Sequence, residues 1–164
     1  MTENSDVESL ARRVTSMLGR YMQVQENLFK LSFRKVLPIP GLYRPVDYGE
    51  NQRILKELQA ELLETKSDIR RQTPRDRPVS LEDRFLGVLR RYISQMAEAV
   101  EKLADICRSL ERRSDGGLYG RREYKIDIAD LRELQRKHLD TGVILNELVK
   151  ELELKGADES PDAP

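Results

Sequence analysis

Residues 41–65 read GLYRPVDYGENQRILKELQAELLET, and residues 117–141 read GLYGRREYKIDIADLRELQRKHLDT. Laid over each other without a gap, they agree at Gly41/Gly117, Leu42/Leu118, Tyr43/Tyr119, Tyr48/Tyr124, Leu55/Leu131, Glu57/Glu133, Leu58/Leu134, Gln59/Gln135, Leu63/Leu139 and Thr65/Thr141. Asp47/Glu123 and Lys56/Arg132 keep their chemistry. Two unrelated helix-rich stretches of this length agree at about two or three places by chance, so this agreement indicates an internal repeat.

The repeat extends upstream. Val7, Leu10, Val14, Met17, Tyr21, Val24, Leu28 and Leu31 follow one another at alternating steps of three and four. A shift of 79 carries these eight positions onto Leu86, Leu89, Ile93, Met96, Val100, Leu103, Cys107 and Leu110. That spacing is the signature of a helix packed through a left-handed, coiled-coil-like seam. Downstream of each Gly-Leu-Tyr a second seam follows: Leu55, Leu58, Leu62, Thr65 and Ile69 in one copy, Leu131, Leu134, His138, Thr141, Leu145, Leu148 and Leu152 in the other. There the shift is 76, because the first turn is three residues longer.

The expected fold is therefore all-α: an antiparallel four-helix bundle made of two duplicated long helical hairpins, 6–72 and 80–154. These form one domain over 6–155, with an N-terminal tail at 1–5 and a disordered acidic tail at 156–164. Ser5 and Glu8 read as a capping box, and Pro38 and Pro40 stop the first helix near Val36. The second helix is expected from Asn51 as its N-cap, the third after Ser80 with Asp83 three residues on, and the fourth from about Asp127. Turns short relative to the helices favour a bundle within one chain over hairpins pairing between two chains.

The 164 residues carry 38% apolar and 35% charged side chains, the balance of elongated helices that bury a narrow stripe. Lys and Arg together number 29, as do Asp and Glu, so no bulk field draws nucleic acid or an anionic surface. No signal peptide or membrane-length apolar run is read, and a single cysteine, Cys107, fits a reducing compartment. The expected location is the cytoplasm. No P-loop, dinucleotide fingerprint, nucleophile elbow or zinc spacing appears. A di-iron bundle needs inward carboxylates and two Glu-x-x-His elements, and His138 is the only histidine. No enzyme, cofactor, metal or small-molecule substrate is expected.

Binding residues are sought in two places. In this topology both Gly-Leu-Tyr turns lie at one end, gathering Tyr43, Tyr48, Tyr119 and Tyr124 with Arg44, Arg121, Arg122 and Lys125. Tyr and Arg offer large contact area with little rotamer freedom to lose, as binding hot spots require. A purely structural role is the alternative: Leu42, Leu118 and the tyrosines fold each turn over the bundle end, with the glycines at positive φ. The second place is a stripe beside the first seam, Leu18, Met22, Phe29, Phe33 and Val36. Its counterparts 79 residues on are Ala97, Glu101, Arg108, Arg112 and Asp115. An apolar stripe kept in only one copy marks a partner surface or a place covered by the first turn.

These residues point to a protein-interaction module, an adaptor or chaperone-like scaffold, that binds another protein or a second copy of itself. It would do so through Leu18, Met22, Phe29 and Phe33 and the Tyr/Arg end. An alternative is RNA binding, with Arg108, Arg112, Arg113, Arg121 and Arg122 on phosphates and the tyrosines stacking on bases. His138 with Gly142 four residues on also resembles the phosphate-accepting helix of histidine phosphotransfer domains, themselves four-helix bundles. That resemblance covers two residues; Thr141 stands where those domains carry lysine, and His138 aligns with the seam residue Leu62.

Overall fold

The computed structural model describes the backbone of residues 3–34, 45–72 and 79–158, and the side chains of 8–29, 45–72 and 79–155. Four α-helices and no strands stand within them: α1 Glu3–Arg34, α2 Tyr48–Gln72, α3 Leu81–Ser114 and α4 Arg121–Asp158. The seams read from the sequence are the buried faces. Leu10, Val14, Met17, Tyr21, Val24 and Leu28 of α1 are buried, as are their counterparts Leu89, Ile93, Met96, Val100, Leu103 and Cys107 of α3. In α2 all five seam residues are buried; in α4 Leu131, His138, Thr141 and Leu148 are, with Leu134, Leu145 and Leu152 packed against the core edge. The two threonines behave alike: Thr65 Oγ1 donates to Glu61 O (2.8 Å) and Thr141 Oγ1 to Lys137 O (3.2 Å). Each thereby satisfies its hydroxyl inside an apolar seam.

Cross-helix pairs give the directions. Arg13 pairs with Glu64 (2.9 Å) and Asp68 (3.2 Å), Arg20 with Glu61, and Asn27 Nδ2 donates to Asn51 Oδ1 (3.4 Å). Partner numbers fall as α1 is followed upward, so α1 and α2 run in opposite senses. The same holds for α3 and α4, where Tyr92 meets His138, and Lys102 Nζ meets Asp127 (2.8 Å) and Asp130 (3.0 Å). The start of α2 meets the end of α3: Cys107 Sγ donates to Tyr48 O (3.7 Å) and Gln52 Nε2 to Glu111 Oε2 (2.6 Å). Hence the end of α1, the start of α2 and the end of α3 share one pole.

α3 is packed on two flanks because it carries two buried stripes. Besides its seam, Phe85, Tyr92, Ala99 and Ile106, seven residues apart, are buried on the side facing α4. The positions 79 residues earlier are Asp6, Arg13, Arg20 and Asn27, and the latter three face α2 through ion pairs and an amide bond. Exposed or half-exposed ion pairs stabilise by about 0–1 kcal/mol each. A buried Phe, Tyr or Ile stabilises by about 1.5–3 kcal/mol. The α3–α4 pairing is thus held more strongly than α1–α2.

The helix ends differ in part from the expected ones. Ser80 and Asp83 form the expected reciprocal cap, Ser80 N donating to Asp83 Oδ2 (2.9 Å) and Asp83 N to Ser80 Oγ (3.1 Å). α2 begins at Tyr48 rather than after Asn51. Asp47 is its cap, its Oδ1 accepting from Glu50 N (2.9 Å), while Asn51 is buried inside the first turn. α4 begins at Arg121, six residues before the expected Asp127, because Glu123 Oε2 reaches back to Gly120 N (2.6 Å) and caps it. The connection after α3 shrinks accordingly to residues 115–120. It closes with Gly117 N donating to Arg112 O (2.7 Å) and Gly116 N to Arg113 O (3.2 Å), the pair of bonds of a Schellman turn. The positive φ falls on Gly116 (88°), not on Gly117 of Gly-Leu-Tyr; a Cβ at Gly117 would stand 2.7 Å from Arg112 O. α1 runs from Glu3, ahead of the expected Ser5 cap. α4 keeps residues 156–158, and the expected tail beyond them lies outside the described residues.

His138 is 5% exposed, and its ring centroid lies 3.9 Å from that of Tyr92. Its Nε2 has no hydrogen-bond partner, and burial lowers its pKa to about 4. Unfolded, the imidazole titrates near 6.5, so between these values the unfolded chain binds the extra proton. The stability contributed by keeping this ring neutral is complete above about pH 6.5 and is lost as pH falls to about 4, by up to about 3 kcal/mol. Urea unfolding at pH 7 and pH 4.5 should show the wild-type chain losing more stability than His138→Leu; equal losses would contradict this.

Candidate functional site

No α-carbon of α1 lies within 8 Å of one in α4 among the described residues, whereas α2–α3 and α3–α4 are in close backbone contact. The repeat shows why one flank closes and the other stays open. On the side of α3 toward α2 stand Ala97 and Ala104, half-buried and packed against the core. Their counterparts on α1, 79 residues earlier, are Leu18 and Gln25. Methyl groups let α2 approach; the longer side chains hold α4 off.

The space left is a groove of about 410 Å³, walled by α1 and α4 and floored by α3. Leu18 lines one wall with Ala11 and Thr15, and Leu139, Val143 and Asn146 line the other. Phe85, Leu89 and Tyr92 form the floor, and no charged residue is part of the lining. Leu139 and Val143 are 66% and 59% exposed and lie one turn apart, so with the groove lining they form a contiguous apolar surface. Gly142 lets the Tyr92 ring lie against α4, since a Cβ there would stand 3.2 Å from Tyr92 Cε2. A polar strut crosses the seam at mid-height. The buried Tyr21 hydroxyl accepts from Gln135 Nε2 (3.0 Å) and Gln25 Nε2 (3.3 Å). Burial raises the Tyr21 pKa against the lowering effect of the Gln135 bond.

Of the stripe read on the first helix, only Leu18 lines the groove; the rest of the α1 wall is Ala11, Val14 and Thr15. Leu18 and Phe29 are half-buried and pack against the core, Met22 is 52% exposed, and Phe33 lies in α1 with its side chain outside the described residues. The α4 wall was absent from the sequence reading, although Leu139 and Val143, four apart and outside the seam, signalled it.

The Tyr/Arg end is only partly assembled. Tyr43 and Arg44 lie outside the described residues. Tyr48 opens α2, half-buried against the core. On the other flank of α3, Tyr119 Oη donates to Asp127 Oδ2 (2.7 Å), and its ring meets Tyr124 edge-on at 6.2 Å. Burial, then the Asp127 bond and charge, raise the Tyr119 pKa. Asp127 is itself held by Lys102, whose pKa is raised chiefly by that bond. Leu118, expected to fold over the bundle end, is fully exposed. Arg121, Arg122 and Lys125 are exposed in the first turns of α4, without an ion pair among the described residues, where the helix dipole disfavours cations.

Other chemistry finds little footing. Burial of the Cys107 thiol pushes its pKa up to about 11, which suits an inert core residue. His138 is 5% exposed with its Nε2 buried, whereas a phosphorylated histidine must face solvent. Among the described residues no three or more His, Cys, Asp or Glu gather as metal ligands, and no helix is long and apolar enough to cross a membrane. Fold and groove define an all-α protein of four packed helices with one edge open. No family model, curated protein or solved structure matches the chain, so the functional argument rests on its own residues.

Burial separates the two described ends of the α1 stripe in a way that melting can read. Phe29→Glu should cost roughly 1–2 kcal/mol by removing a half-buried core contact. Met22→Glu should change stability by less than about 0.5 kcal/mol. Equal effects in denaturant unfolding would mean the stripe is uniformly surface or uniformly core.

Proposed function

We propose that the protein is a non-enzymatic interaction module of the cytoplasm that binds another protein along the open α1–α4 edge. The observation that supports this is the uncharged, apolar lining of a groove between two helices that the fold leaves apart. Apolar side chains held at an open edge stay in water until a partner covers them, and covering them is the favourable step of association. Met22 on the outer side of α1 extends the apolar contact. The lone, buried cysteine agrees with a reducing compartment.

A second reading is RNA binding at the Tyr/Arg pole, favoured by the three unpaired cations at the start of α4. Against it, the Tyr119 and Tyr124 rings are engaged with each other and with Asp127 rather than free to stack.

A photo-crosslinking residue placed at Leu139 should trap a discrete protein in cells, and the same residue at Glu57 on the outer face of α2 should not. Leu139→Glu should abolish crosslinking from Met22. Trapping of RNA instead, with affinity that falls steeply with salt and vanishes in Arg121→Ala/Arg122→Ala, would replace this reading with the second.

A further inference from the structure

Resting on the interaction reading, we infer that the occupant of the α1–α4 groove is a short amphipathic helix of a partner protein, lying along the opening between α1 and α4 with the side chains of one face inserted. The groove walls run from Ala11 to Leu18 on α1 and from Leu139 to Val149 on α4. At about 1.5 Å per residue these lengths are roughly 10 and 15 Å, two to three helical turns. The floor offers Leu89 and Tyr92, three apart on one face of α3, so the complement is a helix presenting apolar side chains at i, i+3 or i+4, and i+7. Its inserted side chains are uncharged, because nothing in the lining can pair with a charge and a buried unpaired charge is costly. Thr15, Asn146 and the Tyr92 hydroxyl supply hydrogen bonds to a polar flank.

The longer stretches outside the described residues supply no suitable occupant. Residues 35–44 leave α1 at Arg34, sixteen residues and about 24 Å above Leu18, and ten residues span at most ~36 Å, too little to go down and return. Residues 73–78, TPRDRP, and 159–164, ESPDAP, carry no large apolar side chain. A second copy offers no separate apolar patch to fill the groove, and groove-to-groove pairing would show as a doubled mass in solution. Among the described residues, outside the groove and Met22, the exposed large apolar residues are Leu63, Val79, Leu118, Ile126, Ile144 and Leu154, and no two stand within two turns of each other on one helix face. Three inserted side chains of aromatic size remove about 450–750 Å², short of the ~800 Å² per partner of a standard interface. That extent suits a peptide-sized helix.

A displayed library of amphipathic helices, varied at i, i+4 and i+7, is the direct probe, selected on the full chain. Selected peptides should be apolar at all three positions and gain helicity on binding. In fluorescence anisotropy they should bind at least tenfold more weakly to Leu139→Arg and to Val143→Arg, and equally well to Glu101→Arg on the exposed face of α3. Both groove variants change exposed residues, and unchanged circular dichroism confirms that they fold. Selection of no helical binder, binders indifferent to both groove variants, or a light-scattering mass twice that of the chain that Val143→Arg halves would each overturn the inference. If a partner still crosslinks from Leu139 while no helix binds, the interaction module stands and the helical occupant falls. Displacement of the peptides by single-stranded RNA at low salt would sink both.

Discussion

One helix with two buried stripes holds the molecule together. α3 places Leu89, Ile93, Met96, Val100 and Leu103 toward the common core, and Phe85, Tyr92, Ala99 and Ile106 toward α4. Two stripes make a wide apolar face, and a helix so built must be covered on both flanks. α2 covers one flank and α4 the other. α1 is left with its own seam and with ion pairs to α2, which contribute little in water. The open edge follows from this division.

Comparing α1 with α3 makes the consequence plain. Under a shift of 79 the two seams coincide in position, and both residues are buried at the six pairs from Leu10/Leu89 to Leu28/Cys107. What differs is what stands beside the seam. Ala97 and Ala104 permit a tight α2–α3 approach, whereas Leu18 and Gln25 stand at the matching places on α1. Tyr21, with Gln25 and Gln135, then fixes the α1–α4 spacing through hydrogen bonds that would be left unmade inside an apolar seam if the strut were broken. The same helical pattern thus yields one sealed edge and one accessible edge.

Much of this was legible in the residues. Alternating threes and fours located every seam, the Ser80/Asp83 pair announced a capped start, and the alignment of His138 with Leu62 foretold a buried imidazole. The start of α4 was not legible, because GRREYKID contains two arginines after a glycine and looks like a loop. Its start is capped by Gly120 N donating to Glu123 Oε2, which pattern alone does not reveal. The second stripe of α3 was written at intervals of seven but masked by the polar residues at the matching positions of α1. The groove was half legible: Leu18 stood out, while Leu139 and Val143 lie outside the α4 seam and gain meaning only once the separation of α1 and α4 is known. Separation between helices is set by side-chain size on both partners at once, which no single stretch of sequence encodes. Tyr43 and Arg44, read as part of the Tyr/Arg end, lie outside the described residues.

Disulfide trapping measures that separation most directly. A disulfide requires α-carbons about 4.4–6.8 Å apart, and among the described residues α1 and α4 offer no pair within 8 Å. Cysteine pairs introduced at Thr15 with Asn146 and at Leu18 with Leu139 should remain reduced under mild oxidation and react freely with a thiol reagent. Pairs placed across the α2–α3 seam should close, while the buried Cys107 stays silent. Rapid closure of the α1–α4 pairs in the isolated chain would show the edge sealed and would contradict the account.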